Sequence, residues 1–382
     1  MKATPELRRT APPRPQPPAA QSRKLRSRPA RLALGLLFFG CGLVLAIATG
    51  EIGLRLVAPQ PISWLSIYAE DDVLPYRLAP GVSQHIDTGE TDWWVHVDDA
   101  GYRAAAVGAP AQELEPYLLG LGDSFAFGHG TDYEDSLYGI LDTKLEDVSV
   151  RNASVPGYGP EQYRKVLEKH LAAPDADRLA GVFLTSFLGN DFHDAIWNKE
   201  RPITDGALGA TAGRRYWIKK NSHLYRFLSA RAHAMGFGRG ESDLHLNAEL
   251  LTRDEWASGR LSEALEIYTR ELQTIRDLCR DADIPLFVIL LPARATVDEE
   301  LRTASVASVG LEESAWQADL PTQKAAAACG KLAIPYFETG ELLATLPRPL
   351  YLRFDGHFQA ATTHAVADAV VKRFLAGGRG EL

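Results

Sequence analysis

The stretch Tyr117-Leu-Leu-Gly-Leu-Gly-Asp-Ser-Phe-Ala-Phe-Gly-His-Gly130 is a short apolar run that stops at a glycine-flanked Asp123-Ser124 pair. Such a run reads as a buried strand whose end delivers one serine to an exposed turn. Gly122 permits a tight turn, and Gly128 and Gly130 keep the following loop compact. A serine after a strand is also an ordinary cap for the next helix. A nucleophile therefore needs more: a base, an orienting acid and oxyanion donors at other strand ends.

From Tyr117 onward the pattern alternates. Strands are expected over 117–121, 148–153, 180–186, 285–291 and 332–337, mostly as continuous apolar runs of the kind buried on both faces of a parallel sheet. Helices are expected over 135–145, 161–172, 261–280, 311–329 and 360–375. Leu261, Leu265, Tyr268, Leu272, Ile275 and Cys279 recur at steps of four and three, which gives one apolar stripe to cover a sheet. The β-α repeat predicts an α/β fold, a doubly wound α/β/α sandwich with a mostly parallel sheet.

Two regions interrupt that rhythm. Residues 59–116, punctuated by Pro59, Pro61, Pro75, Pro80 and Pro110, read as an irregular β-containing prelude, with Trp93–Val97 as a short strand before an Asp98-Asp-Ala-Gly101 turn. Residues 192–258 carry Arg214, Arg215, Lys219 and Lys220 among several aromatics, with a polar stretch from Gly238 to Asp243. A connection this long suits a lid or substrate-binding insertion. Its basic residues could favour an anionic ligand, and a solvated helical subdomain fits the composition equally well.

The 382-residue chain has a net charge of −8, unevenly spread. Residues 1–31 hold nine Lys or Arg and one Glu, a net of +8, which leaves −16 for the rest. An acidic main body argues against nucleic acid as a partner. Cys41, Cys279 and Cys329 show no ligand-like or redox-pair spacing. A Cys279–Cys329 bridge stays open as one arrangement for an oxidising compartment.

The first 31 residues, rich in Pro and Arg, are expected to form a disordered cytoplasmic tail. The 18 uncharged residues Leu32–Thr49, continued after Glu51 to Val57, predict one transmembrane helix over 32–57. Arg23, Lys24, Arg26, Arg28 and Arg31 abut its N-terminal side and place that side in the cytoplasm. Everything after it is then extracytoplasmic. A cleaved signal peptide is the competing reading, with Ala46-Ile47-Ala48 as its small-x-small site.

Several polar groups could complete a site around Ser124. In Tyr351-Leu-Arg-Phe-Asp-Gly-His-Phe358, one short turn could aim Asp355 and His357 at a single pocket, with Asp355 holding the imidazole in the tautomer that faces the serine. His364, about two helical turns further on, is the rival base and the expected orienter of that loop. Asn152-Ala-Ser-Val-Pro-Gly-Tyr-Gly159 and Gly189-Asn-Asp-Phe192 each follow an expected strand. Gly157 could present a backbone N–H and Asn190 a side-chain amide beside the N–H of Ser124. Asp191, His193 and Asp194 are legitimate ligand types but form no recognised metal set. No metal and no cofactor are expected.

These four segments, in this order, resemble the SGNH or GDSL hydrolase superfamily, and especially its bacterial membrane-anchored extracytoplasmic members. Gly122-Asp123-Ser124 with Phe125 looks like the nucleophile block, Gly157 the second, Asn190-Asp191 the third, and Asp355-Gly-His357 the terminal acid and base block. The similarity covers roughly 117–374. Leu188 stands where many members have glycine, and Asp355 and His357 are two apart rather than the commoner three.

The resemblance implies a flavodoxin-like domain over 117–377, with Ser124 as nucleophile, His357 as base and Asp355 as its orienter. It also implies an oxyanion hole of Ser124, Gly157 and Asn190, with Asp123, Asn152, Asp191 and His364 in support. The implied activity is a serine esterase or deacylase acting through an acyl-serine on an O-acylated, chiefly O-acetylated, envelope glycan or lipid at the inner membrane. An O-acyltransferase using the same residues and a non-catalytic glycan-binding scaffold are the alternatives. Envelope polysaccharide machinery is the partner that this reading adds.

Overall fold

The computed structural model describes residues 28–108, 116–145, 148–197, 200–209, 213–235 and 242–376. The basic tail with Arg23, Lys24 and Arg26, Pro110, and the polar stretch from Gly238 to Glu241 lie outside the described residues. The chain divides into two units, Met1–Gly53 and Leu54–Leu382.

The described residues of the first unit are helical, part of a helix that runs Arg28–Val57. No residue of its most apolar 18-residue window is buried within the protein, and its apolar portion, Arg31–Val57, is 27 residues long. At ~1.5 Å per residue that is about 40 Å, enough to cross the ~30 Å hydrocarbon core of a bilayer. A signal sequence answers the same description.

The second unit is built on a twelve-strand inventory. β1 (Tyr68–Ala69) and β2 (Arg77–Leu78) form a small antiparallel pair. β3 (Ser83–Asp87), β4 (Asp92–Val97) and β5 (Arg103–Ala104) come from the prelude. β6 (Tyr117–Leu121), β7 (Ser149–Asn152) and β8 (Leu179–Phe187) follow, then the short pair β9 (Ile203–Thr204) and β10 (Ala207–Leu208). β11 (Leu286–Leu291) and β12 (Tyr336–Glu338) complete the set.

Eight of these strands make one sheet in the order β12-β11-β8-β6-β7-β5-β4-β3. The five strands from β7 to β12 are parallel, and in order of appearance they run 2-1-3-4-5, the flavodoxin-like doubly wound arrangement. The prelude does more than pack beside this core. Through the antiparallel β5–β7 pairing it lengthens the sheet by three strands.

Alternation within the buried strands builds two layers. Leu119, Leu121, Val182, Leu184, Val288 and Leu290 face a core closed by the helices Pro160–Leu171, Arg260–Asp281 and Leu320–Lys331. Leu118, Phe183, Phe287 and Ile289 face the opposite core, under Leu137–Lys144, Gly340–Thr345 and Ala360–Ala376. The stripe on Arg260–Asp281 is buried as expected at Leu261, Tyr268, Leu272, Ile275 and Cys279.

Gly120 shows how tightly the second layer sits on the sheet. A Cβ there would lie 2.6 Å from the Tyr138 ring. The Tyr138 hydroxyl reaches the Leu121 carbonyl and Thr185 Oγ1, each at 2.8 Å, which ties helix to strands at that spot. Gly120→Ala is therefore expected to destabilise the domain by roughly 1–3 kcal/mol through overpacking, measured by denaturant unfolding.

Three local expectations are corrected. The helix expected over 311–329 begins only at Leu320, where Pro321 occupies its first turn and residues 311–319 form a loop with a short 3-10 turn at Glu313–Ala315. The strand expected over 332–337 is limited to Tyr336–Glu338, because Leu332 caps the preceding helix and Ala333 turns the chain at φ 52°. Cys279 and Cys329 are buried free thiols, so the bridge left open above is not formed. The described part of the 192–258 insertion is largely helical, with helices Arg214–Asn221, His223–Ala234, Ser242–Leu251 and Arg253–Ala257.

Candidate active site

Ser124, Gly157 and Asn190 follow β6, β7 and β8, all at the carboxyl edge of the parallel sheet. Strand order reverses between β6 and β8, and crevices at such switch points are where doubly wound sheets bind ligands. Gly122 is required by closeness: a Cβ there would lie 2.5 Å from Ala126 Cβ and 2.9 Å from the Thr185 carbonyl. Asp123, not Ser124, caps the short helix Ser124–Phe127, accepting the Phe125 N–H at 2.9 Å. The serine hydroxyl is thereby left for other partners.

The partner is His357. Its Nε2 lies 2.8 Å from Ser124 Oγ, and its Nδ1 is hydrogen-bonded to Asp355. A small loop makes this reach possible across 233 residues of sequence. Tyr351 and Phe358 form an antiparallel bridge, and the Leu352 N–H donates to the His357 carbonyl at 2.7 Å. Gly356 turns between them at φ 86°, a left-handed conformation suited to glycine. The Asp-Gly-His turn thus presents both side chains to one side.

Burial lowers the pKa of His357 below its ordinary 6.5, with the Asp355 hydrogen bond and charge acting in the opposite direction. The imidazole is consequently neutral at pH 7. Burial alone would raise the pKa of Asp355, but hydrogen bonds from His129 and then His357 outweigh it and hold the carboxyl well below the usual range. A carboxylate that stays ionised fixes the tautomer that leaves Nε2 free to accept the serine proton.

Asp123 also holds Asn190, one of the expected oxyanion donors. Its Oδ2 accepts from Asn190 Nδ2 at 3.0 Å, so one carboxylate ties the amide to the serine turn. Gly157 adopts φ 84°, and its N–H has no acceptor among the described hydrogen bonds. A Cβ at Gly157 would meet the Tyr76 hydroxyl at 2.7 Å, which brings the prelude down onto this loop. Asn152, fully buried, donates to the Ala126 carbonyl at 3.2 Å and accepts from the Ser154 N–H at 3.1 Å. Asp191 lies beneath, accepting from Ser186 and Tyr163 hydroxyls at 2.6 and 2.8 Å, and burial followed by the Asp123 charge pushes its pKa well up.

With Asn190 in the oxyanion role that the resemblance implies, Asn190→Ala is expected to lower kcat on an ester substrate by roughly 10²–10³, the range for loss of one oxyanion donor, with KM little changed. Steady-state kinetics on an activated acetyl ester check this.

Other expected groups lie elsewhere. His364 pairs with Asp135 at 2.7 Å and is half-exposed; it neither approaches Ser124 nor joins the Asp355 loop among the described contacts. Asp191, His193 and Asp194 do not converge, since His193 points to Glu249 at 3.3 Å. The described residues that could share an ion are instead His129, Asp355 and His357, and both His357 nitrogens already have partners.

Two residues escape the linear reading. His129 Nε2 lies 3.4 Å from Asp355 Oδ2, and its ring sits 4.6 Å from that of His357 and 5.2 Å from Trp93. Asp355 thus bridges two histidines. Glu90, at the tip of the β3–β4 hairpin, accepts backbone N–H groups from Arg353, Phe354 and Asp355, the last at 3.1 Å. A prelude carboxylate therefore holds the turn that carries Asp355 and His357. The only hint in the sequence is that a hairpin tip there ends in an acid.

Glu90→Gln is expected to reduce kcat roughly tenfold, through the loss of charge-assisted bonds that orient the turn. A purely structural role would lower only the melting temperature. Activity measured well below that temperature, with kcat and KM separated, distinguishes the two.

Fold and site together define a three-layer α/β/α protein with a serine–histidine–aspartate array on the carboxyl edge of its sheet. No family model and no curated protein matches the chain. Among solved structures it is similar to TesA, at 13% identity over 68% of this chain and 97% of that one, with a TM-score of 0.36. It is also similar to a catalytic mutant of Axe2, an acetylxylan esterase from Geobacillus stearothermophilus, at 13% identity over 67% and 93% of the two chains and a TM-score of 0.35. A member of the lipolytic protein G-D-S-L family from Veillonella parvula gives 11% identity, 68% and 98% coverage and a TM-score of 0.33. Identities this low leave the side chains themselves as the ground for a functional reading.

Proposed function

We propose that this chain is an SGNH-type serine esterase, with Ser124 as nucleophile, His357 as general base and Asp355 as its orienter. The observation that carries the reading is the continuous array Ser124 Oγ to His357 Nε2 at 2.8 Å, with His357 Nδ1 on Asp355. His357 Nε2 takes the serine proton as Oγ bonds to the ester carbonyl carbon. The resulting oxyanion is met by the N–H groups of Ser124 and Gly157 and by the Asn190 amide. His357 then gives the proton to the departing alkoxide as the C–O bond breaks, leaving an acyl-serine. Water, deprotonated by the same nitrogen, releases the carboxylic acid; a sugar hydroxyl in its place would make the chain an O-acyltransferase.

The apolar helix and the basic residues preceding it support a single-span protein with its esterase domain outside the cytoplasm. O-acylated envelope glycans, acetyl esters first among them, are the substrates that location offers. A fluorophosphonate probe tests the reading: the full chain should be labelled, and labelling should vanish in Ser124→Ala and fall sharply in His357→Ala. A well-folded chain that neither labels nor hydrolyses p-nitrophenyl acetate would instead be a binding or scaffold protein. Product analysis with and without a sugar acceptor separates hydrolysis from transfer.

A further inference from the structure

Beside the serine array lies a cleft of about 690 Å³, a size suited to a small ligand or a few sugar rings. One wall comes from the prelude at Trp64 and Tyr68, and the other from the insertion at Arg215, Lys219 and Tyr225. His129 lines the same cleft while its ring stands 4.6 Å from that of His357, so the cleft ends one ring away from the proposed base.

Its charge is unlike that of the chain around it. Arg215 and Lys219 are four residues apart on the helix Arg214–Asn221, a spacing that puts both on one face. Neither meets a carboxylate among the described residues, whereas the adjacent Lys220 pairs with Asp205 at 2.7 Å. No described residue lining the cleft is acidic, in a chain of net charge −8. Lys219 Nζ is held 4.4 Å over the Trp64 ring, and burial lowers its pKa with no neighbouring anion to offset the cost. A half-buried Lys219 held over Trp64 and an exposed Arg215, with no described counter-charge and with aromatic rings beside them, form a site that wants an anion with apolar faces.

We infer that this cleft binds the glycan part of the ester and selects a carboxylate-bearing glycan, with Arg215 and Lys219 taking its carboxylates. The inference rests on the esterase reading above and adds the substrate class. Aromatic rings suit the C–H faces of pyranose units, while a fatty-acyl chain would call for an aliphatic slot. Cations at one wall then set which O-acyl group is carried to Ser124.

The test compares acetate release by the full chain in detergent from an acetylated oligogalacturonate and from its carboxyl-reduced, neutral counterpart with the same acetyl content. The unsubstituted chain should show kcat/KM roughly tenfold higher on the charged form, by an amount that shrinks as salt is added. The double substitution Arg215→Gln with Lys219→Gln should bring the ratio close to one, and Arg215→Lys with Lys219→Arg should keep most of it. Because the readout is a ratio within each variant, partial misfolding does not mimic the effect. Equal rates on both forms, or a preference that survives the double glutamine substitution, overturns the inference. So does hydrolysis of p-nitrophenyl acetate with neither glycan accepted, or a preference for vesicles of short-acyl phosphatidylglycerol over both. Absence of p-nitrophenyl acetate turnover and of fluorophosphonate labelling would instead overturn the esterase reading, and the inference with it.

Discussion

Ser124→Ala is expected to lower esterase kcat by roughly 10⁴- to 10⁶-fold, with the remaining rate supplied by the oxyanion donors and binding alone. The size follows from the division of labour at the turn. Ser124 Oγ makes its described hydrogen bond to His357 and nothing else, whereas the helix cap and the link to Asn190 belong to Asp123. Deleting the hydroxyl therefore removes the reacting atom and leaves the scaffold, so the melting temperature should barely move. Fluorophosphonate labelling checks the assignment independently of substrate. Label retained in Ser124→Ala would put the nucleophile elsewhere.

Asp355→Asn is expected to cost roughly 10³- to 10⁴-fold in kcat, because an amide that donates toward His357 Nδ1 favours the tautomer with its proton on Nε2. That proton faces Ser124 and blocks the transfer. The pH profile adds a second readout. The reactive form has neutral His357, whose pKa burial holds below 6.5. Activity should be lost as pH falls through that value and be level above it, so the acid limb of kcat/KM has its midpoint below pH 6.5. Asp355 raises the His357 pKa through its hydrogen bond and charge. Removing its charge should shift the limb to lower pH while the plateau drops. An unchanged limb would mean that Asp355 is not coupled to the base.

The two histidines on Asp355 also rank the outlying residues. His129 and Glu90 touch the aspartate or its backbone without touching Ser124. Their contacts place both as positioning residues for the proposed array, whose geometry is set by a loop, and loops need such support more than strands do.

Much of this was legible along the chain because the relevant forces are local. Continuous apolar runs at 117–121 and 286–291 announce buried parallel strands, and the four-and-three spacing from Leu261 to Cys279 announces a covering helix. Where local signals competed, the linear reading slipped. Leu332 and Ile334 alternate like a strand, yet Ala333 turns left-handed between them, and Pro321 marks a helix start that the apolar pattern from Leu311 obscures. The prelude shows a strand at Trp93–Val97 but not that it joins the main sheet, because that junction, the edge pairing of β5 with β7, depends on which sheet edge remains open once the parallel core has formed.

The sequence by itself determined the alternation that makes a doubly wound sheet, the apolar helix before it, and the candidates Ser124, Gly157, Asn190, Asp355 and His357, since strand ends and glycine turns are written in neighbouring residues. Only the tertiary structure decided that these side chains meet, that His364 stands apart with Asp135, and that His129 and Glu90 hold the acid's loop. The same holds for the cations of the insertion, which reach the cleft beside His129. The physical reason is sequence distance: Glu90 and Asp355 are 265 residues apart, and no local preference encodes a hydrogen bond that exists only after the β3–β4 hairpin and the loop after β12 have been brought together.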